Sequence, residues 1–174
     1  MTKNNILIAF SSDKICKNIV TILNKNGIPY DNICNTGSCL RKYCSYYNNG
    51  IVLCGASFSD ETSYNIIEDF YEDFVFLLMG NIDKINIYSD KKAYKLSTPV
   101  KEEDIINAIN LAYYKNNENI KNKNIKLIKN AKDLLIKHNG FSENMAHKYI
   151  QQKSMQTGKK NIEIAKIIIN KYIN

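Results

Sequence analysis

The chain lacks any run near the roughly 20 consecutive apolar residues that a bilayer-spanning helix needs. No membrane helix and no membrane partner are therefore expected. No small-residue cleavage site follows Met1-Thr2-Lys3-Asn4-Asn5 and the short apolar stretch 6–10. A signal peptide is not expected, and the cytoplasm is the expected location. There is no CxxC pair among Cys16, Cys34, Cys39, Cys44 and Cys54. An odd count without a secretory signal argues against a disulfide framework. Only two histidines occur, His138 and His147, both late in the chain. That is a poor ligand set for zinc, so the thiols read as reduced, small hydrophobes. No nucleophile–base arrangement, phosphate-cradling glycine loop or metal-ligand cluster is visible. No enzyme activity, cofactor or metal is expected.

What is present is an uneven charge. Residues 1–115 hold 12 Lys and Arg against 13 Asp and Glu, a balance of −1. Residues 116–174 hold 12 Lys against 4 acids, a balance of +8, which completes the whole-chain +7. All of the positive excess sits in the last third. Such asymmetry points to a separate module that meets a polyanion. Asn, Lys and Ile are all frequent, as AT-rich codon usage would give, so polar composition alone carries little.

The first two-thirds alternate strand and helix patterns about five times. Apolar runs at 6–10, 51–54 and 74–79 read as buried strands. Shorter strands are expected at 31–34 and 93–96. Between them lie helical patterns at 14–26, 36–47, 61–72 and 83–88. The first carries Ile15, Ile19, Ile22 and Leu23 and closes at Gly27. A last helix starts near Glu102 with three acids in its first turn, as the macrodipole favours. Alternation of this kind predicts an α/β fold, a five-stranded parallel sheet with helices on both faces.

This order of elements, its size and the segment Leu96-Ser97-Thr98-Pro99-Val100 before an acidic helix start resemble the flavodoxin-like receiver domain of two-component response regulators, over about residues 4–115. The resemblance implies an acidic pair after the first strand for magnesium. It also implies an acceptor aspartate after the third strand, a hydroxyl after the fourth and a lysine before the proline. Those places fall on Phe10 and Ser11, on Gly55, at Leu78 or Met79, and on Thr98. Magnesium wants converging carboxylate oxygens, and Gly55 cannot become an acyl phosphate. Asp13 and Asp60 lie nearby, each beyond the matching place. The expectation is a degenerate phosphorylation site at Phe10, Ser11, Gly55 and Thr98, and a domain that serves protein interaction or dimerisation and responds to a partner or a small molecule.

From Glu102 to about His138 there is neither proline nor glycine. Ile106, Ile109, Tyr113, Ile120 and Leu127 recur at heptad-like spacing, with Asn116 and Lys123 as polar interruptions. A coiled-coil dimer seam through Ile106, Ile109, Tyr113, Asn116, Ile120 and Leu127 is expected. A second stripe, Ile128, Ala131, Leu134 and Leu135, begins before the first fades. It is expected to face the C-terminal module.

Gly140 suits the left-handed cap that ends this helix. Ser142 can cap the next helix, with Glu143 in its first turn, and Gly158 closes it. Asn161 can cap a third helix with Ile162, Ile164, Ala165, Ile168 and Ile169 inward. Ile128-x-x-Ala131-Lys132-x-Leu134-Leu135, then Ser142-Glu143-x-x-Ala146-x-x-Tyr149-Ile150-Gln151-x-Lys153-Ser154-Met155, then Ile162-x-Ile164-Ala165-x-x-Ile168 resembles the ANTAR domain. This is the RNA-binding domain shared by the AmiR and NasR antitermination regulators. The match runs over about residues 125–170. A receiver-like unit, a helical linker and this domain, in that order, resemble the AmiR type.

The resemblance implies binding to paired RNA hairpins through their loops, which keeps an overlapping terminator from forming. Unstacked loop bases are where RNA sequence is read, and lysines supply salt-dependent affinity. Lys132, Lys148, Gln151, Gln152, Lys153, Thr157, Lys159 and Lys160 are the expected RNA-contacting residues. Tyr149 is expected to pack in the core. The expected organisation is a receiver-like domain at 1–104, a coiled-coil linker at 105–127 and the RNA-binding domain at 128–174. The expected partners are leader RNA, a second copy of the chain, and a regulatory or sensor protein. Two rival readings are a DNA-binding response regulator and a non-catalytic protein-interaction module.

Overall fold

The computed structural model describes residues 5–173. The expected segments reach Met1 and Asn174, and those ends lie outside the described residues. Packing divides the chain into two units, Met1–Asn119 and Ile120–Asn174. The division falls inside the stretch expected as a linker.

The first unit is built on β1 (Ile6–Ala9), β2 (Asn32–Cys34), β3 (Gly50–Gly55), β4 (Phe74–Gly80) and β5 (Ala93–Ser97). They form one parallel sheet in the order β2-β1-β3-β4-β5. The central strands are buried on both faces, which is why they read as continuous apolar runs rather than alternating ones. One face carries Ile6, Ile8, Ile51, Leu53, Val75 and Leu77. It is covered by α1 (Asp13–Lys25), through Cys16, Ile19 and Leu23, and by the start of α5 (Glu102–Asn139), through Ile105, Ile109 and Ala112. The other face carries Leu7, Val52, Cys54, Phe76 and Leu78. Over it lie α2 (Gly37–Tyr47), α3 (Ser63–Phe70) and α4 (Ile82–Ile85).

The cysteines behave as small hydrophobes. Cys16, Cys34, Cys44 and Cys54 are buried and all five are free thiols. Burial pushes the Cys44 and Cys54 thiols up to about 12, so both stay protonated.

The second unit comprises residues 120–139 of α5, α6 (Glu143–Thr157) and α7 (Asn161–Ile173). Its core is Ala131 and Leu135 from α5, Ala146 and Ile150 from α6, and Ile164, Ala165 and Ile168 from α7. Ile128, Phe141, Tyr149 and Ile169 pack against it. Three fully buried alanines let the helix backbones approach closely. The cap of α6 and the two glycine turns form as expected, whereas Asn161, expected to cap the third helix, is the first residue of α7. Ser142 Oγ accepts from the Met145 amide at 3.3 Å, capping α6. Gly140 and Gly158 both sit at φ +67°, the left-handed conformation that ends a helix. Among the described residues no helix is long and apolar enough to cross a membrane.

Candidate nucleic-acid interface

Inward residues of the second unit fix which side chains point out. On α6, Ala146 and Ile150 are buried four residues apart. Lys148, Gln151, Gln152 and Met155 stand at steps of three, four and seven, so they share one outward strip. All four are exposed, Met155 by 84%. Lys153 lies elsewhere on the helix. It follows Tyr149 by one turn, and its Nζ sits 5.8 Å from that ring's centroid. Tyr149 is half-buried, 5.7 Å from Phe141, so it packs in the core as expected.

The turn after α6 presents the remaining cations. Thr157 Oγ1 donates to the Lys153 carbonyl at 2.7 Å, and Ser154 Oγ donates to the Lys159 carbonyl at 2.5 Å. The Lys160 amide donates to Glu163 Oε2 at 2.8 Å. These bonds fix the backbone between α6 and α7 and leave Lys159 and Lys160 exposed. Lys132 is differently placed. Its side chain is only 20% exposed, and its Nζ lies 2.9 Å from Glu143 Oε1. The hydrogen bond from Lys132 holds the Glu143 carboxyl below the usual carboxylate range.

Of the eight residues read as RNA contacts, seven are therefore exposed: four on α6, Thr157 at its end, and two in the following turn. Lys132 has its ammonium already paired. Sequence reading missed Met155 as a surface residue. The signal was available in its spacing from Lys148, but a methionine in a helical motif reads first as core. Met145, at 54% exposure, belongs with it.

The residues read as a dimer seam are spread over both units. Ile109 and Asn116 are closed off from solvent within the first unit. Ile109 lies in the core under the sheet, alongside Ile105 and Ala112. Tyr113 packs partly against the same core. Ile106, Ile120 and Leu127 are half-buried.

In the first unit, Phe10, Ser11, Gly55 and Thr98 come together. They line one cleft of about 350 Å³ at the carboxyl ends of the strands, with Met79, Gly80 and Lys84. Of the two places given for the hydroxyl, Met79 lines the cleft, whereas Leu78 is buried in the sheet. Among the described residues no Asp or Glu lines it. Asp13 Oδ1 accepts from Asn35 Nδ2 at 2.8 Å instead. Asp60 accepts from the Ser38 and Gly37 amides at 2.9 and 2.8 Å, which holds its carboxyl down to about 2. It is thus tied to the start of α2. Magnesium requires oxygen donors, carboxylates above all. The Phe10 ring, a glycine and serine hydroxyls do not fit that ion. Among the described residues no group of three or more His, Cys, Asp or Glu could hold a metal.

Comparison with known proteins supports two separate likenesses. Residues 121–169 match the family model of the ANTAR domain. The fold resembles the signal receiver domain of an HD domain-containing protein from Pseudomonas fluorescens Pf-5, with TM-score 0.61 and 13% identity, covering 70% of this chain and 94% of that one. It also resembles a response regulator receiver domain protein from Clostridium thermocellum, with TM-score 0.57 and 20% identity over 65% and 96% of the two chains. The response regulator StyR gives TM-score 0.61 at 12% identity, covering 98% of this chain and 100% of its own. At these identities the likeness is one of fold. The five-stranded parallel sheet with flanking helices, followed by a long helix and further helices, is the expected fold class. No curated protein matches the chain.

Proposed function

We propose that this chain is an RNA-binding transcription antiterminator. It grips paired hairpins in nascent leader RNA and so prevents an overlapping terminator hairpin from forming. The observation that carries the reading is the ANTAR match over residues 121–169. The exposed strip of Lys148, Gln151, Gln152 and Met155, with Lys153, Lys159 and Lys160 around it, supports it. Lysines supply phosphate contacts whose strength falls with salt. The two glutamine amides carry donors and acceptors for the edges of unstacked loop bases.

In the same reading, control comes through association rather than aspartyl phosphorylation. The carboxylate-free cleft at Phe10, Ser11, Gly55 and Thr98 supports this. So does Asp60, whose two oxygens are spent on α2 amides. A homodimer presents two RNA-binding units to two hairpins. Its contacts include Ile106, Tyr113, Ile120 and Leu127 on α5, and a sensor protein sets its formation. The protein acts by binding and catalyses no reaction.

The test is binding of the full chain to a two-hairpin leader RNA and to duplex DNA of equal length, at several salt concentrations. The RNA should be preferred, and Lys148→Ala should lower the salt slope by about 1. Preference for the duplex would replace this reading with a DNA-binding regulator. Equal, negligible binding to both would leave a protein-interaction module.

A further inference from the structure

The cleft in the first unit lacks the carboxylates a magnesium site needs, among the described residues, yet it is an open recess. It lies where β1 and β3 adjoin, with helices leaving to opposite faces of the sheet. Open α/β sheets take their ligands at such a switch point. Its volume of about 350 Å³ suits a small molecule. Phe10, Ile15 and Met79 make it apolar. Gly55 and Gly80 leave it open. A Cβ at residue 55 would stand 3.3 Å from the Phe10 ring, and one at residue 80 would stand 3.0 Å from Ile85 Cγ2.

Of the polar groups around these walls, Ser11 Oγ donates to the Ser57 carbonyl at 3.0 Å and Asn81 Oδ1 accepts from the Asp83 amide at 2.9 Å; the others are uncommitted. Among the described residues Lys84 is the one charged residue of the lining, and it has no ion-pair partner there. Ser12 begins α1 without a side-chain capping bond. The hydroxyls of Ser57 and Thr98 are likewise spent on no protein group among the described residues. One cation, three free hydroxyls and no carboxylate favour a single negative charge. A doubly charged ion would be left with uncompensated charge against apolar walls. A bare anion would leave those walls without contacts.

We infer that this cleft binds a small organic monoanion, a carboxylate carried on a compact apolar body. The carboxylate meets Lys84 and the hydroxyls, and the body lies against Phe10, Ile15 and Met79. The antiterminator reading is not needed for this inference, which rests on the first unit alone.

The experiment is an amide NMR titration of the full chain with benzoate, beside two comparison probes, benzamide and inorganic phosphate. Benzoate should shift the amides of Ser11, Ala56 and Gly80 with a Kd in the millimolar range, about tenfold tighter than benzamide. Lys84→Ala should bring benzoate to within about twofold of benzamide and leave benzamide unchanged, while Lys84→Arg retains the preference. Lys84 is exposed, so both variants should fold. Three results would overturn the inference: no shift at these amides up to about 20 mM benzoate; benzoate binding unchanged in Lys84→Ala; or phosphate binding as tightly as benzoate at the same amides.

Discussion

Lys132 on α5 and Glu143 in the first turn of α6 are joined at 2.9 Å, Nζ to Oε1. The pair ties two helices of the second unit together and places a carboxylate at the positive end of α6. The Glu143 carboxyl is held below its ordinary value, so its stabilising contribution is present above the unfolded carboxylate pKa. It is lost as pH falls through the lower, folded value. Glu143→Gln should therefore lower the melting temperature at neutral pH and flatten its fall on acidification below about pH 4.5. Melting curves of both proteins from neutral to acid pH check this. An unaltered acid limb in the variant would remove the linkage from Glu143. In RNA binding, Lys132→Ala should leave the salt slope within about 0.3 of wild type, whereas Lys148→Ala reduces it by about 1.

Asp60 stands at the start of α2, accepting the Gly37 and Ser38 amides. Its carboxyl is held down to about 2, against 3.8 ordinarily, first by the Ser38 amide. The sign follows the same rule. The contribution is complete above about pH 4 and fades toward pH 2. Asp60→Ala should lower the melting temperature at pH 7 and much less at pH 2.5. Incubation with a small acyl phosphate should leave Asp60 unlabelled, since both its oxygens are engaged. Mass spectrometry of the Asp60 peptide reads that outcome directly, and an added phosphoryl group there would restore a phosphorylation-based control.

These two carboxylates show where sequence reading stops. The strands were legible because each is buried on both faces and forms a short apolar run, as at Phe74–Gly80. The caps of α6 were legible because Ser142, Gly140 and Gly158 act locally, through their own backbones. The empty acidic positions were legible as a gap at Phe10 and Gly55. What Asp60 does instead depends on α2, more than twenty residues earlier in the chain, and no local pattern announces that contact. The same holds for Lys132, whose motif position is clear but whose partner lies one helix away. On α5, the heptad spacing of Ile109 and Asn116 is genuine. Periodicity gives a buried face but not what buries it, and for Ile109 that is the sheet.

Ala146 and Ala165 are fully buried where α6 and α7 pack. Their size sets how closely the helices approach, and close-packed interiors resist added methylenes. Ala146→Leu should destabilise the second unit by about 1–3 kcal/mol. RNA binding should weaken in step, although residue 146 faces away from the Lys148 strip. Hydrogen exchange should show faster exchange in residues 120–173 and unchanged protection in β1, β3 and β4. Uniform loss of protection across both units would mean that they do not unfold separately.

Phe10 and Gly55 occupy each other's space. A Cβ added at residue 55 would meet the Phe10 ring at 3.3 Å, tighter than ordinary van der Waals contact. Gly55→Asp by itself should therefore fail to create a phosphoryl acceptor. The new carboxylate would press on the ring, and no neighbouring carboxylate would help it to hold magnesium. A cost of about 1–3 kcal/mol is expected from overpacking and partial burial of the charge. Replacing Phe10 and Ser11 by Asp in the same chain removes the ring and supplies the missing oxygens. That triple variant should bind magnesium, seen as a magnesium-dependent rise in melting temperature, whereas Gly55→Asp alone should show none. If the single variant binds magnesium as well as the triple one, the Phe10 ring is not what closes the site, and the carboxylate-free cleft loses its weight as an argument against phosphorylation.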